Sequence, residues 1–588
     1  MTARRLIRSR RGPLALAVVL VTAGLLAGCV SMPDSGPVVE TQSEGGVSLD
    51  QGPFFDPKPP QEGDTRADIV RGFLVAMTAT PIQTITAREF LTKDAAAAWS
   101  PDSTVTYAGS PRVAETAAGV SVTLADPDRL DPQGAWQGPL PKSQHTIGFP
   151  MAFEDGEWRI DGAPDALIVP ETWFARRFRQ VSLYFFDPTV GTLVPEPVYV
   201  TGGKQLASTL TQALLLGPSA GLERVVRSFV PPGLTIAPSV LISDDGIAEI
   251  ALKGDEGQLS TESIELMMAQ LAWTLRQDSR IEALQVSING DALPLPGGVS
   301  AYRVDGGGQY DPAGFQASPL LYGLREGLLS SGTDGSLEPV SGPLGTTDFG
   351  LRSIGVSLTA STAAGVSDDG SSVVVGPVSG TADTKARRVV EGARDLLRPA
   401  WDFADRMWLV DRTAAGAEVS WVVDGRRHVL DVPGVSGTRV RSFVISRDGS
   451  RLVAVVRRSA GDELVVSRIA YNRRGRVLWA TPGRPISDAP DNDLPVRAIA
   501  WRNTTNLDIL SPFPATNAVV QLRTASVDGS PAAESSPTTE GGLLGLVGSP
   551  ASDEPRYGYD RRSLVNLSAA GRQVLPLADD TTAITYVG

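Results

Sequence analysis

The single cysteine of the chain, Cys29, stands immediately after Leu26-Ala27-Gly28. Small residues at 27 and 28 let an extended backbone enter a signal peptidase, and the thiol that follows is a nucleophile for a diacylglyceryl group. Cleavage between Gly28 and Cys29 then frees an amine for N-palmitoylation. The residues upstream suit this chemistry. Met1–Arg11 holds five arginines and no acid, and Leu14–Gly28 is an apolar run of about 15 residues, short of the ~20 that span a bilayer but matched to a signal-peptide core. The bland alternative is an uncleaved signal anchor with a chance cysteine. Two or three acyl chains hold firmly, because each buried CH₂ adds ~0.8 kcal/mol. Ser9-Arg10-Arg11 resembles a twin-arginine export signal, although Pro13 stands where an aromatic is usual; the general secretory route and the twin-arginine route both stay open.

Little else in the chain is equipped for chemistry. There are two histidines, His145 and His428, whereas a zinc site of the usual kind needs several His or Cys ligands. Acylation removes the only thiol. No Gly-x-Ser-x-Gly elbow occurs. Asp305-Gly306-Gly307-Gly308 lacks the following lysine and helix of a phosphate loop and reads as an interdomain turn. Asp244-Asp245 and Asp579-Asp580 read as solvated turns, and Asp368-Asp369 lacks a full set of calcium ligands. Arg176-Arg177-Phe178-Arg179 and Arg473-Arg474-Gly475-Arg476 are candidates for contact with anionic lipid or a partner, with local charge balance as the plainer reading. The expectation is therefore no catalytic set, no metal and no cofactor.

The charge balance points the same way. The formal net charge is −13, and removing five arginines makes it about −18. An acidic surface argues against nucleic-acid binding, which selects basic patches. No second apolar run of spanning length follows Gly28.

The elements beyond Cys29 fall into four stretches. Residues 29–64 are rich in Pro, Gly, Ser and Glu, cannot bury enough apolar surface to fold, and read as a tether with a reach on the order of 100 Å. Residues 65–170 begin with helical periodicity at Ala67, Val70, Phe73, Leu74 and Met77 and a short helix over Ala87–Leu91. Strand patterns follow over Val105–Ala108, Gly119–Leu124, Thr146–Phe153 and Glu157–Ile160, the last two joined by a hairpin at Glu154-Asp155-Gly156. Helices followed by a curved sheet resemble the NTF2-like α+β cone, read here as a support domain. Residues 181–292 alternate strands and helices. One helix carries Leu206, Leu210 and Ala213; another is capped by Ser260 or Thr261, with Ile264, Met267, Met268, Leu271 and Leu275 as its stripe. The Met267-Met268 pair reads as core.

From 314 to 588 long helices vanish and short β-rich runs alternate with turns. Val366-Ser367-Asp368-Asp369-Gly370-Ser371 is echoed by Ile445-Ser446-Arg447-Asp448-Gly449-Ser450, and Asp528-Gly529 repeats the interval. The spacing is close to twice the ~40–45 residues of a propeller blade. Five or six blades are expected, with Ser530–Tyr557 as an extended loop or an irregular blade.

Tyr184-Phe185-Phe186-Asp187, Leu193-Val194-Pro195-Glu196, Leu214-Leu215-Leu216-Gly217-Pro218 and Pro231-Pro232-Gly233-Leu234 resemble the sporulation and germination (GerMN) domain, over about 110 residues. The whole order is similar to the LpqB lipoproteins of actinobacteria: lipobox, NTF2-like α+β domain, α/β GerMN-like domain, all-β propeller. That resemblance implies a non-enzymatic protein on the extracytoplasmic face of the cell membrane. It also implies an association with the external domain of the Mtr sensor histidine kinase, and a modulating role in cell-wall and division homeostasis. Two other functions stay open: an envelope lipoprotein that binds peptidoglycan or glycan, and a hydrolase using the propeller channel or the cone.

Overall fold

Thr65 and Thr92 open the first described helices by accepting hydrogen bonds from the backbone amides of Asp68 and Ala95, both at 3.2 Å. The computed structural model describes residues 54–588 apart from 237, 238, 256, 258, 487–494, 514–518, 532–537 and 569–572. The first helices are α1 (Arg66–Ala76), α2 (Ile85–Arg88) and α3 (Lys93–Ala98). Strands β1 (Ser103–Thr116), β2 (Gly119–Leu130), β3 (Trp136–Pro139) and β4 (Thr146–Phe149) follow, then the hairpin β5 (Met151–Glu154) with β6 (Glu157–Ile160), and β7 (Ala166–Pro170). The main sheet runs β3-β2-β1-β7, with β4 also paired to β2. β1 is much longer than its pattern predicted. Gly109, with φ of +62°, and Pro111 are absorbed where the pairing with β2 shifts between Ala108 and Arg112, so residues that usually break a strand bend this one. Ile69, Phe73, Trp99 and Phe149 pack beneath the sheet; Phe73 meets the Trp99 ring at 5.3 Å.

Helix α4 (Glu171–Arg177) leads into β8 (Phe178–Phe186), which pairs with β9 (Leu193–Thr201). Next come α5 (Leu206–Leu215), β10 (Thr235–Ile236), β11 (Leu241–Ile242), β12 (Ile247–Lys253), α6 (Thr261–Leu275), β13 (Ala283–Ile288), β14 (Asp291–Ala292) and β15 (Tyr302–Arg303). β12 and β13 are parallel, and α6 is the crossover that parallel neighbours require. Ser260 caps it, accepting from the Ser263 amide at 3.1 Å. Met267 and Met268 are wholly buried against α5 and the sheet, as a core pair should be. The Gly306-Gly307 turn packs on α6: the Gly307 carbonyl accepts from Trp273 Nε1 at 3.1 Å, and a Cβ on Gly307 would meet Ala269 Cβ at 2.9 Å.

Among the described residues six blades follow, the upper of the two expected counts; five have four strands, and blade four has a fifth, Arg484–Pro485, paired with Asp462–Tyr471. Blades two to five start with inner strands Leu351–Val356, Ala400–Trp401, Val440–Ile445 and Ala498–Trp501, and blade six with Gly545–Val547. Each of these blades then meanders outward through three more strands, with Arg484–Pro485 added beside the third in blade four. Blade one is completed from both ends of the propeller sequence: Thr581–Thr585 is its inner strand, paired antiparallel with Leu321–Arg325. Middle strands are sandwiched between neighbouring blades, so they read as continuous apolar runs. Leu452 to Val456 are all buried. Ser530–Tyr557 holds the outer strand of blade five, Thr538–Glu540, and opens blade six.

The Asp-Gly echo needs a correction. Gly370 joins the second and third strands of blade two, Gly449 the first and second of blade four, and Gly529 the third and fourth of blade five. The three copies are one local turn used at non-equivalent places. In each, the aspartate accepts from the amide two residues on: Ser371 to Asp369 at 2.9 Å, Ser450 to Asp448 at 2.7 Å, Ser530 to Asp528 at 2.9 Å. Each glycine supplies a φ near +70°. The true blade repeat is a different one: Leu351-Arg352-Ser353-Ile354, Val440-Arg441-Ser442-Phe443 and Val496-Arg497-Ala498-Ile499. Arg352 donates to the Leu396 carbonyl at the entry to blade three, and Arg497 to the Leu543 carbonyl at the entry to blade six, both at 2.7 Å. These arginines staple one blade to the next.

A candidate interaction site where the domains meet the propeller

Antiparallel meanders put the first–second and third–fourth strand turns of every blade on one face of the ring. That face, at blades four and five, meets β8 and β9. Pro195 in β9 has no amide to donate, and its carbonyl accepts from Arg451 Nη2. Glu196 Oε2 accepts from Arg451 Nη2 at 3.1 Å and from Arg468 Nη2. Arg451 is fully enclosed. Burial, with Arg468 beside it, pushes its guanidinium down to about 10. Beside this group Gln180 Nε2 reaches Ser526 Oγ at 2.9 Å, Asp528 Oδ2 at 3.1 Å and Ser530 Oγ at 3.1 Å. Arg484 Nη2 donates to the Asp528 carbonyl at 2.6 Å, and its Nη1 reaches the Trp136 carbonyl of the first domain at 3.5 Å. The result is a polar joint held by charge-assisted hydrogen bonds. It brings together two acids, Glu196 and Asp528, with the Gln180 amide and the arginines Arg451, Arg468 and Arg484.

The middle of the ring is closed. Arg447 extends from the blade-four turn and donates to the carbonyls of Ala313 at 2.7 Å and Val587 at 3.0 Å, with Glu554 Oε2 at 3.6 Å. The space left between the inner strands is about 30 Å³, room for a water molecule and not for a substrate. A cleft of about 360 Å³ lies between α6 and blades five and six. Tyr184 and Trp273 line it, but the Trp273 ring is covered by the Arg276 guanidinium at 3.8 Å, so its face is not free for a sugar to stack on. Burial pushes the Tyr184 phenol up to about 12.

Cys29 and Gly28, the residues assigned to lipidation and cleavage, lie outside the described residues. The histidines sit in different domains. His145 Nε2 lies 3.0 Å from the Leu140 carbonyl, and His428, on the outer strand of blade three, stacks on Trp421 at 5.1 Å. Asp369 is engaged by its own turn; hydrogen bonds from Ser367 and Ser371 hold it down at about 2. Among the described residues no group of three His, Cys, Asp or Glu is arranged to hold a metal ion, and no helix is long and apolar enough to cross a membrane. Of the two arginine clusters, Arg473 and Arg474 are exposed on the blade-four turn facing the second domain, and Arg176 is exposed at the end of α4. Sequence reasoning missed Glu196, Arg451 and Gln180, because buried ion pairs between distant segments leave no local pattern. It also missed the stapling arginines, whose recurrence is visible once strand starts are aligned.

The model for the N-terminal domain of lipoprotein LpqB matches residues 59–175, the sporulation and spore germination model residues 182–294, and the LpqB beta-propeller model residues 327–580. Lipoprotein LpqB of Streptomyces avermitilis is 30% identical over 595 aligned positions, covering 96% of each chain. Its counterpart in Streptomyces coelicolor is 28% identical, covering 92% of this chain and 93% of that one. The protein of the same name from Mycobacterium tuberculosis is 28% identical, covering 80% and 82%. Among solved structures, the first GerMN domain of GerM from Bacillus subtilis is 24% identical, covering 21% of this chain and 97% of that one with a TM-score of 0.18. A chain of the nidogen/laminin complex is 12% identical, covering 45% and 97% with a TM-score of 0.33. The chain belongs to the LpqB lipoprotein family, a family of membrane-anchored lipoproteins.

Proposed function

We propose that the protein is anchored through acylated Cys29 at the outer face of the cell membrane and works there as a non-enzymatic accessory partner. Its partner is the external domain of a sensor histidine kinase of the Mtr type, whose signalling to cell-wall and division homeostasis it modulates. In this reading 1–28 is removed, 29–64 is the tether, and 65–170, 181–292 and 314–588 are the working domains. The observation that carries the reading is the joint at Glu196 and Arg451. It fixes the second domain on a propeller whose channel is filled, a build suited to presenting loops to another protein and not to turning over a substrate.

The test is co-purification of tagged, lipidated protein with the purified sensor domain of the kinase. Saturable binding supports the reading, and its absence between folded partners ends it. The anchor is tested separately in cells. Cys29→Ser is expected to lose labelled palmitate and to stay unprocessed at the leader; palmitate incorporation equal to the parent refutes the lipidation site.

A further inference from the structure

The ring face away from the joint carries the second–third strand turns and the connections between blades. There, between blades three and four, lies a groove of about 560 Å³. Its lining includes Arg412 at the end of one strand, Arg439 and Arg441 at the start of the next blade, and Arg457 at the end of that blade's second strand, with Thr413 and Thr438 beside them and no acid. Four guanidinium groups on one groove contrast with a chain in which acids outnumber Lys and Arg by 66 to 53.

The nearby acids offset only part of this charge. Asp395 is shared by Arg352 at 2.6 Å and Arg412 at 2.5 Å. Asp462 is shared by Arg457 at 2.7 Å and Arg441 at 3.5 Å. Asp411 is engaged with the backbone amides of Arg394 and Asp395. Arg439 has no acid within ion-pair distance among the described residues. Arg441 sits on the same kind of bulge as its equivalent Arg352, but where Arg352 and Arg497 donate to backbone carbonyls of the next blade, Arg441 lines the groove and faces Asp462 at 3.5 Å.

We infer that this groove binds a phosphate group. Guanidinium forks match phosphate oxygens two at a time. A carboxylate brings one charge, and Asp395 and Asp462 are each shared between two arginines, so two acids serve four of the five arginines in reach and Arg439 has none among the described residues. A phosphoester adds charge and acceptors enough to engage Arg439 together with Arg412, and the volume suits a group the size of a phospholipid head or a small soluble phosphate. The site lies on the opposite end of blade four from the Glu196 joint and is independent of the kinase reading.

The test is titration calorimetry on the full lipidated chain in nonionic detergent. One arm uses inorganic pyrophosphate and the other dihexanoyl-phosphatidylglycerol, with dihexanoyl-phosphatidylcholine as the zwitterionic control. Saturable binding in either anionic arm is expected, and the arm that binds more tightly names the source. Exposed Arg439→Gln weakens binding about fivefold, and Arg412→Gln with Arg439→Gln about twentyfold. Arg474→Gln, on the other face, leaves it unchanged. No binding in either anionic arm, binding undiminished in the Arg439→Gln protein, or equal loss with Arg474→Gln overturns the inference.

Discussion

Asp128, half-buried on β2, has its carboxyl pushed up to about 6 by burial, with Asp126 and Glu171 adding repulsion. Its folded value lies above the unfolded one, so the native state holds this proton more tightly than the unfolded chain. Stability from Asp128 is therefore full below about pH 4 and falls as pH rises toward 6 and beyond. Asp128→Asn removes that loss. It is expected to raise the thermal midpoint at pH 7.5, by on the order of 1 kcal/mol once water access to the half-exposed carboxyl is counted, and to leave it unchanged at pH 4. Melting curves at the two pH values check this; an equal gain at both, or none at pH 7.5, refutes it. At this scale the Asp-Gly turns were legible in the sequence, because each aspartate accepts from an amide two residues on, whereas a burial-shifted aspartate depends on neighbours brought together only by the fold.

The joint between β9 and blade four gives an asymmetric prediction. Glu196→Ala leaves Arg451 enclosed with Arg468 repelling it and Asp448 at 3.8 Å as its nearest acid. An uncompensated buried charge costs about 3–5 kcal/mol. Arg451→Met leaves Glu196 still paired with Arg468 and strips one hydrogen bond from the Pro195 carbonyl, a loss of about 1–3 kcal/mol. Urea unfolding followed by tryptophan fluorescence should rank Glu196→Ala as the worse change; the reverse order means Arg468 and not Arg451 is the group Glu196 serves. Elements of this size were partly legible beforehand. α6 showed its stripe and cap, because a 3.6-residue period and a Ser N-cap are local signals. The strand pattern of β1 breaks at Gly109 and Pro111, yet the strand continues through them, since the bulge that accommodates both is set by β2. The Asp-Gly turns were seen and misplaced: a turn chemistry is local, but which two strands it joins is not.

Closure of the ring belongs to the whole molecule and has no local signature. Thr581–Thr585 supplies the inner strand of blade one from the far end of the chain, pairing Leu324 with Thr582 and Tyr322 with Thr585. Ile584, Tyr586 and Val587 are buried there, each contributing about 1.5–3 kcal/mol. The Val587 carbonyl also receives Arg447, and the Gly588 amide donates to the Val356 carbonyl in blade two at 2.9 Å. Removing residues 581–588 therefore costs three apolar anchors, the acceptor of a buried arginine and one of the strands paired to Leu321–Arg325, leaving an open edge. The truncated protein is expected to lose its cooperative unfolding transition and to self-associate in size-exclusion chromatography. Ile584→Ala should keep the fold and lower stability by about 2–4 kcal/mol. A truncated protein that stays monomeric and melts at the parental temperature would mean that the other five blades hold the ring without its clasp, and that the stapling arginines, not the terminal strand, set its integrity.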